Sequence, residues 1–354
     1  MNAPLVEKIA NAVLYEGYLL YPYRSSAVKN RKRWNFGVIY PRAYSEMGGG
    51  AEPCEMETQC LALGGPLTLL RVKVRCLRQV DRAVGYLVEP APELPANGAP
   101  AFVAADSIEI DGRRYESWQE ASECDISLPD LHFAELEAGS VRRRFAFPAT
   151  GTVEPVRDAT GMVAGLTVRS QEALEGWIET RLEQPRDGLF RISVRISNQT
   201  PFTDAPAEGR ERVLRQSLLS AHTILQVRDG EFVSLLDPPP QFETAASACR
   251  NVGTWPVLAG EPGTRDTMLS SPIILYDYPQ VAPESPGDLF DGAEIDEILS
   301  LRILALTDEE KDAMRRADEH ARQILERTET LPPEHFMKLH GVLRGVHPVD
   351  REAL

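Results

Sequence analysis

The segment GLFRISVRISNQT, residues 188–200, alternates apolar and polar side chains with a period of two. In an extended chain such alternation places all apolar side chains on one face, as in a half-buried β-strand. A helix would scatter the same residues around its axis, so the pattern restricts this segment to a sheet that covers a core. The apolar set is Phe190, Ile192, Val194 and Ile196, and the polar set is Arg191, Ser193, Arg195 and Ser197.

Further extended segments are predicted at residues 67–80, 141–148, 162–170 and 173–184. The pairs Asp111-Gly112 and Asp229-Gly230 are typical of tight hairpin turns, because glycine readily adopts positive φ. Residues 83–90 are expected to pair with 67–80 across Asp81-Arg82. Strands joined by turns, without regular strand–helix alternation, favour antiparallel sheets over a doubly wound fold.

Two segments are predicted to be helical. Residues 5–20 carry apolar side chains at helical spacing, and residues 306–330 begin with a capping box of Thr307 and Glu310. The predicted fold class is therefore α+β, mainly β, with an antiparallel β-sandwich or barrel-like core, a short N-terminal helix and a C-terminal helical segment. The predicted organisation has four regions: 1–56, 57–240, 241–305 and 306–354.

Composition limits the classes of function. The net charge of −15 argues against general binding to nucleic acid, which requires neutralisation of phosphates. No apolar run approaches the roughly 18 residues of a membrane span, and the N-terminus lacks the features of a signal peptide. The five cysteines show no C-x-x-C pair, so we expect reduced thiols and a cytoplasmic location.

Two oppositely charged segments stand out. The basic-aromatic segment, residues 24–42, is free of acids, whereas the acidic segment, residues 277–297, is free of Lys and Arg. They are expected either to meet within the molecule or each to contact a different partner. The residues predicted to bind a partner are Arg24, Lys29, Arg31, Arg33, Trp34, Asp288, Asp291, Glu294 and Glu297.

Two other kinds of site are possible in the sequence, a cation site and a polar pocket. Asp288, Asp291, Glu294 and Asp296 could supply oxygen ligands to a cation, but their spacing is not that of an EF-hand, and a solvated face is the commoner outcome. We therefore expect no metal and no cofactor. A polar pocket could instead include Arg265, Asp277 and Glu284.

Two groups of residues contain histidines with a possible chemical role. A nucleophilic Cys249 would need His222 nearby, whereas a hydrogen-bonded histidine in the core is the usual role for such a residue. The three C-terminal histidines are expected to be solvated rather than gathered around a metal; they are His335, His340 and His347.

Three blocks carry a resemblance to a known family: LYEGYLLYPYRSSAVKNRKRWNFGVIYPRAYSE, CRNVGTWPVL and RDTMLSSPIILYDYPQVAPESPGDLFDGAEIDEILSLRIL. Together they resemble an uncharacterised bacterial family encoded beside high-affinity, actinobacterial-type [NiFe]-hydrogenases and their accessory proteins. The likeness extends from about residue 12 to about residue 330. It carries no catalytic residues over to this chain.

The resemblance implies an accessory, assembly or interaction protein without enzymatic activity, linked to [NiFe]-hydrogenase maturation or function. Its expected partners are hydrogenase subunits or maturation factors. The alternative is an enzyme or a metal-dependent binding protein with a polar pocket in the region from Arg265 to Asp291. Exposed charged segments would favour the first, and a deep pocket or tightly bound metal the second.

Overall fold

The computed structural model describes residues 3–16, 36–94, 101–203 and 210–280, together with residues 308, 311, 315, 322, 325, 326 and 329. The chain forms two compact units, one of residues 1–19 and 31–280 and the other of residues 20–30 and 281–354. The four regions predicted from the sequence stay a prediction.

The first unit contains five short helices and sixteen strands within the described ranges. The helices are α1 Ala3–Glu16, α2 Arg42–Met47, α3 Phe133–Glu137, α4 Arg210–Leu214 and α5 Glu243–Ser247, with a 3₁₀ turn at Pro240–Phe242. The first eight strands are β1 Glu55–Leu63, β2 Leu69–Ala91, β3 Phe102–Ala105, β4 Ser107–Ile110, β5 Arg113–Glu116, β6 Trp118–Ser127, β7 Leu131–His132 and β8 Val141–Phe147. The other eight are β9 Thr150–Arg157, β10 Val163–Gln171, β11 Leu174–Arg186, β12 Leu189–Asn198, β13 Leu219–Arg228, β14 Glu231–Val233, β15 Trp255–Leu258 and β16 Thr267–Ser271.

The strands form two large antiparallel sheets. Sheet 1 has the order β14-β1-β12-β11-β8. Sheet 2 has the order β15-β16-β13-β2-β10-β9, and β3, β6 and β7 also pair with β2. The prediction of a mainly antiparallel β fold is thereby confirmed.

The two sheets bury their apolar faces against each other in one core. Ile192, Val194 and Ile196 of β12 meet Val72 and Val74 of β2 in this cluster, and all five side chains are at most 2% exposed. The face assignment predicted from the alternation in β12 is correct. Because each sheet hides one face in this way, the other face remains available for polar side chains.

Strand β2 is the structural axis of sheet 2 and extends over 23 residues. Its first half pairs with β13 and its second half with β10. Strand β6 pairs with residues 73–82, in the middle of β2, along the opposite edge. The predicted turn at Asp81-Arg82 is wrong. Both residues pair with β6 and β10, and the buried Arg82 guanidinium donates to a Glu120 carboxylate oxygen at 2.7 Å. The pair also lacks the glycine that a tight hairpin turn favours.

The two Asp-Gly pairs have different outcomes. Asp111-Gly112 joins β4 to β5 in a hairpin, as predicted. Asp229-Gly230 also forms a turn, with φ of 58° at Asp229, but no hairpin follows. After it β14 pairs with β1 of sheet 1, whereas β13 belongs to sheet 2. A turn motif fixes the local reversal of the chain, and the wider packing selects the sheet that the next strand joins.

Helix α1 covers part of the outer face of sheet 2, where it contacts β2, β13 and β16. Its buried side chains recur at helical spacing, which confirms the predicted N-terminal helix; they are Val6, Ile9, Ala10, Val13 and Leu14. No helix among the described residues is long and apolar enough to cross a membrane.

In the second unit all seven described residues are helical. The prediction of one uninterrupted helix over 306–330 is nevertheless wrong, because Glu329 contacts Arg315, and residues fourteen apart in a straight helix are separated by about 21 Å. Glu329 forms an ion pair with Arg315 at 2.9 Å, and the Leu325 side chain is fully buried. Arg322 and Glu326 approach to 3.9 Å at the i,i+4 spacing. The predicted capping box of Thr307 and Glu310 lies outside the described residues.

Candidate functional site

The outer face of sheet 1 carries a row of alternating charges. The pairing register aligns Arg142 of β8 with Glu179 of β11, Glu179 with Arg195 of β12, and Arg195 with Glu57 of β1. A positive and a negative side chain therefore alternate across four strands. The Arg195 guanidinium donates to a Glu57 carboxylate oxygen at 3.0 Å. Opposite charges on adjacent strands stabilise a sheet modestly.

Trp177 lies at the centre of the β8–β11 side of this face. Alternation along β11 points it away from the core, between the outward-facing Glu175 and Glu179. The Arg142 guanidinium carbon lies 4.5 Å from the centre of its indole ring. This distance is within the range of a cation–π interaction, which is worth about 0.5–1 kcal/mol at exposed sites.

Strand β8 ends the sheet on this side and carries Arg142, Arg143 and Arg144, all exposed. Arg144 forms an ion pair with Glu175. The other acid beside the strand, Glu179, also binds Arg181 at 2.9 Å. Arg142 and Arg144 balance these two acids on the outer face, whereas Arg143 is aligned with the buried Ile178 and points to the other face. The surplus positive charge therefore lies at the edge of the sheet, in contrast to the net charge of −15 for the whole chain. Charged side chains on an edge strand also prevent uncontrolled pairing with other sheets.

A second polar row lies on the outer face of sheet 2, under α1. His222 of β13 is aligned with Arg75 of β2, and Arg75 is aligned with Asp125 of β6. Arg75 donates to Asp125 at 2.9 Å and to Glu123 at 2.8 Å, and it also binds the Asn11 side chain of α1. A buried arginine is therefore surrounded by acceptors on the sheet and on the helix.

Both ring nitrogens of His222 are bonded. Nδ1 donates to the Ser220 carbonyl oxygen at 2.6 Å, because a carbonyl can only accept, and Nε2 then accepts from the Ser271 hydroxyl at 3.2 Å. Burial, together with the charge of Arg75, lowers the pKa of His222 to about 4. The imidazole is neutral near pH 7 and connects β13 to β16.

The prediction of a hydrogen-bonded core histidine is thereby confirmed. A neutral imidazole that accepts from a serine resembles a nucleophile–base pair, but Ser271 and His222 are both fully buried. The Ser271–His222 hydrogen bond therefore has a structural role, since it joins two buried side chains. Cys249 packs in a different cluster, against Leu61 and Phe242, and burial raises the pKa of its thiol. It is not the partner of His222.

The structure places two of the three predicted pocket residues. The Asp277 carboxylate accepts from the Ser234 hydroxyl at 2.5 Å and from the Leu258 backbone N–H at 2.8 Å, so it connects the segment after β16 to β14 and β15. Arg265 is exposed, and its carbonyl accepts from the Phe232 N–H at 2.7 Å. Glu284 lies outside the described residues, so the pocket stays a prediction.

The residues predicted to bind a partner also lie outside the described residues. This holds for the basic-aromatic set, Arg24, Lys29, Arg31, Arg33 and Trp34, and for the acidic set, Asp288, Asp291, Glu294 and Glu297. The same is true of Asp296 and the three C-terminal histidines. Among the residues that the structure places, no three His, Cys, Asp or Glu side chains are grouped so that they could hold a metal ion.

A groove of about 220 Å³ lies between α1 and the outer face of sheet 2. Its charged lining is paired: Arg71 binds Asp130 at 3.0 Å, and Lys73 binds Glu7 at 3.3 Å. The volume is below the roughly 300–1,000 Å³ of typical small-molecule sites. The Arg142–Trp177 face is therefore the stronger candidate for recognition among the described surfaces.

Sequence reasoning missed this face, although part of the signal was present. Alternation in residues 173–184 places Trp177 opposite the apolar Ile178, hence on the outside. The sequence could not predict which residues of β8 lie beside Trp177, because β8 and β11 pair across more than thirty residues of chain. In comparisons with known proteins, no family model and no curated protein matches this sequence.

Proposed function

We propose that this protein acts by binding another protein, as an accessory or assembly factor without enzymatic activity of its own. The observation that carries the proposal is the Arg142 guanidinium stacked at 4.5 Å on Trp177, beside the arginine-rich edge strand β8. Trp and Arg are the side chains most enriched among residues that dominate protein–protein affinity.

The positive edge favours a partner with an acidic surface. Arg142 and Arg144 are exposed beside the indole of Trp177, which provides an apolar contact on the outer face, and Arg143 is exposed at the edge of the same strand. Electrostatic complementarity would orient such a partner and speed its association, while the aromatic ring would contribute buried area. We propose a protein rather than a small molecule as the occupant, because the Arg142–Trp177 contact lies on the outer face of a sheet.

The two charged segments extend the proposal. The basic-aromatic segment includes Arg31 and Trp34, and the acidic segment includes Asp288 and Glu297. We propose them as further contact surfaces. The resemblance to a family encoded beside [NiFe]-hydrogenases makes hydrogenase subunits and maturation factors the first partners to test, in the cytoplasm.

The test uses the full-length tagged protein, expressed in its native host and recovered with its bound proteins for quantitative mass spectrometry. The decisive variant is Arg142→Ala. Its matched control is Arg113→Ala, which removes another exposed arginine from β5, outside sheet 1. Loss of a dominant contact of about 2 kcal/mol corresponds to roughly 30-fold weaker binding, measured by titration with the purified partner.

The expected result is one partner retained by wild type and Arg113→Ala and depleted with Arg142→Ala. Charge reversals Arg31→Glu and Asp288→Lys test the two segments in the same assay. Equal binding by the Arg142 and Arg113 variants would exclude the sheet 1 face as the contact. A protein recovered loaded with metal and without hydrogenase components would overturn the accessory role and favour the alternative pocket.

A further inference from the structure

Two cysteines face each other across neighbouring strands of sheet 2. Cys76 of β2 is the direct pairing partner of Cys124 of β6. Both side chains point into the core between the sheets, and their sulfur atoms are 2.7 Å apart. Both are free thiols in this structure. The distance is much nearer to a bonded pair, at about 2.05 Å, than is usual for cysteines that merely share a core.

The backbone at this position suits a covalent bond. Direct partners in antiparallel strands have Cα atoms about 4.5–5.5 Å apart, and disulfides span Cα separations of roughly 4.4–6.8 Å. The strands therefore need no large movement for the two sulfur atoms to join. Both side chains lie in the same core cluster with their sulfur atoms 2.7 Å apart, so the rotamers that bring them together are already occupied.

We propose that Cys76 and Cys124 form a reversible intramolecular disulfide when the protein meets a low-molecular-weight disulfide such as oxidised glutathione. The Cys124 thiolate attacks one glutathione sulfur, forms a mixed disulfide and releases one glutathione thiolate. The Cys76 thiolate then attacks the Cys124 sulfur and releases the second. The protein loses two hydrogen atoms, and one glutathione disulfide is reduced to two glutathione thiols.

The order of attack follows from exposure. Cys124 is 8% exposed and Cys76 is fully buried, so an external disulfide reaches Cys124 first. The hydrogen bond to Cys124, together with burial, raises the pKa of the Cys76 thiol well above its usual value. Because exchange requires the thiolate, the reaction is slow in the closed fold and faster when β6 separates from β2.

The bond would close a specific part of the fold. The chain between the two cysteines contains the second half of β2 and the strands β3, β4 and β5. The β4–β5 hairpin packs on this half of β2 through Ile108, Ile110 and Val84. A disulfide between Cys76 and Cys124 would join the two ends of this segment and raise the midpoint of thermal unfolding by several degrees.

The experiment treats the full-length protein with oxidised glutathione, with and without urea below the unfolding transition. Remaining thiols are alkylated in denaturant, and peptides are mapped without reduction. The expected product is a peptide pair joined through Cys76 and Cys124, formed faster in urea and reversed by dithiothreitol. Cys76→Ser should abolish it, whereas Cys54→Ser should leave it unchanged.

Mapping of the wild-type protein decides the proposal even if the Cys76 variant does not fold. Five alkylated thiols after exposure to oxidised glutathione would overturn it. Stable glutathione adducts without an internal bond, or a bond that involves another cysteine, would overturn it as well.

Discussion

Replacement of His222 by glutamine tests the polar row under α1 through the pH dependence of stability. In the folded protein the pKa of His222 is lowered to about 4 by burial, next to the charge of Arg75. In the unfolded chain it returns to about 6.5. Between these values the unfolded state binds a proton that the folded state does not, so stability falls as the pH drops from about 6.5 to 4.

The size of this effect follows from the two pKa values. For one site with pKa values of about 6.5 unfolded and 4 folded, the free energy of unfolding at pH 4.5 is lower than at pH 7.5 by about 2.5 kcal/mol. Below pH 4 both states bind the proton and the contribution of His222 no longer changes. The sign is the opposite of that for a histidine stabilised by an acidic partner, whose folded pKa is raised.

The assay is urea unfolding followed by tryptophan fluorescence at pH 7.5 and pH 4.5. Other groups also contribute to the pH dependence of the wild-type protein, so the informative quantity is the difference between wild type and His222→Gln at each pH. This difference should shift by about 2.5 kcal/mol between the two pH values. His132→Gln, at an exposed site, is the control for replacement of a histidine elsewhere in the fold.

A wild-type-minus-variant difference that stays constant with pH, to within about 0.5 kcal/mol, would refute the reasoning. It would mean that His222 has nearly the same pKa in the folded and the unfolded protein, and so takes up a proton within the fold as the pH falls to about 4.5. In that case the bond from Ser271 to Nε2 could not have the polarity described above, because a protonated ring donates from both nitrogens.

Two further substitutions test the packing. Gly176→Ala should destabilise the protein by 1–3 kcal/mol or more in urea unfolding, because the new methyl group would overlap the carbonyl oxygen of Ser197. Gly151→Ala is its control and should change stability by less than about 0.5 kcal/mol, since its nearest heavy atom would be 3.7 Å away; equal effects would contradict the packing argument. Asp277→Ala should cost about 1–3 kcal/mol by the same measurement, because it removes the acceptor of Ser234; an unchanged stability would instead favour a role in a pocket.

The accessory role and the disulfide rest on separate parts of the molecule. The Arg142–Trp177 pair lies on the outer face of sheet 1, and the two thiols lie between the sheets. Loss of partner binding in Arg142→Ala would leave formation of the disulfide unaffected, and Cys76→Ser would leave the arginine-rich edge unchanged. The two proposals can therefore fail independently.

Local features of the sequence determined the parts of the fold that depend on neighbouring residues. The alternation in β12 fixed which side chains enter the core, because strand geometry sends successive side chains to opposite faces. The Asp111-Gly112 pair fixed a hairpin, and helical spacing fixed α1. The histidine in an apolar run indicated a buried, bonded ring at position 222.

Only the tertiary structure decided which strands became neighbours. Nothing local shows that Asp81-Arg82 continues a strand, that β14 leaves β13 for the other sheet, or that Cys76 meets Cys124. These pairings join residues distant along the chain, and they are selected by the total burial and hydrogen bonding of two sheets rather than by the preferences of either partner. The sequence assigned each side chain to a face, whereas the register between strands assembled the charge row, the Trp177 surface and the two thiols.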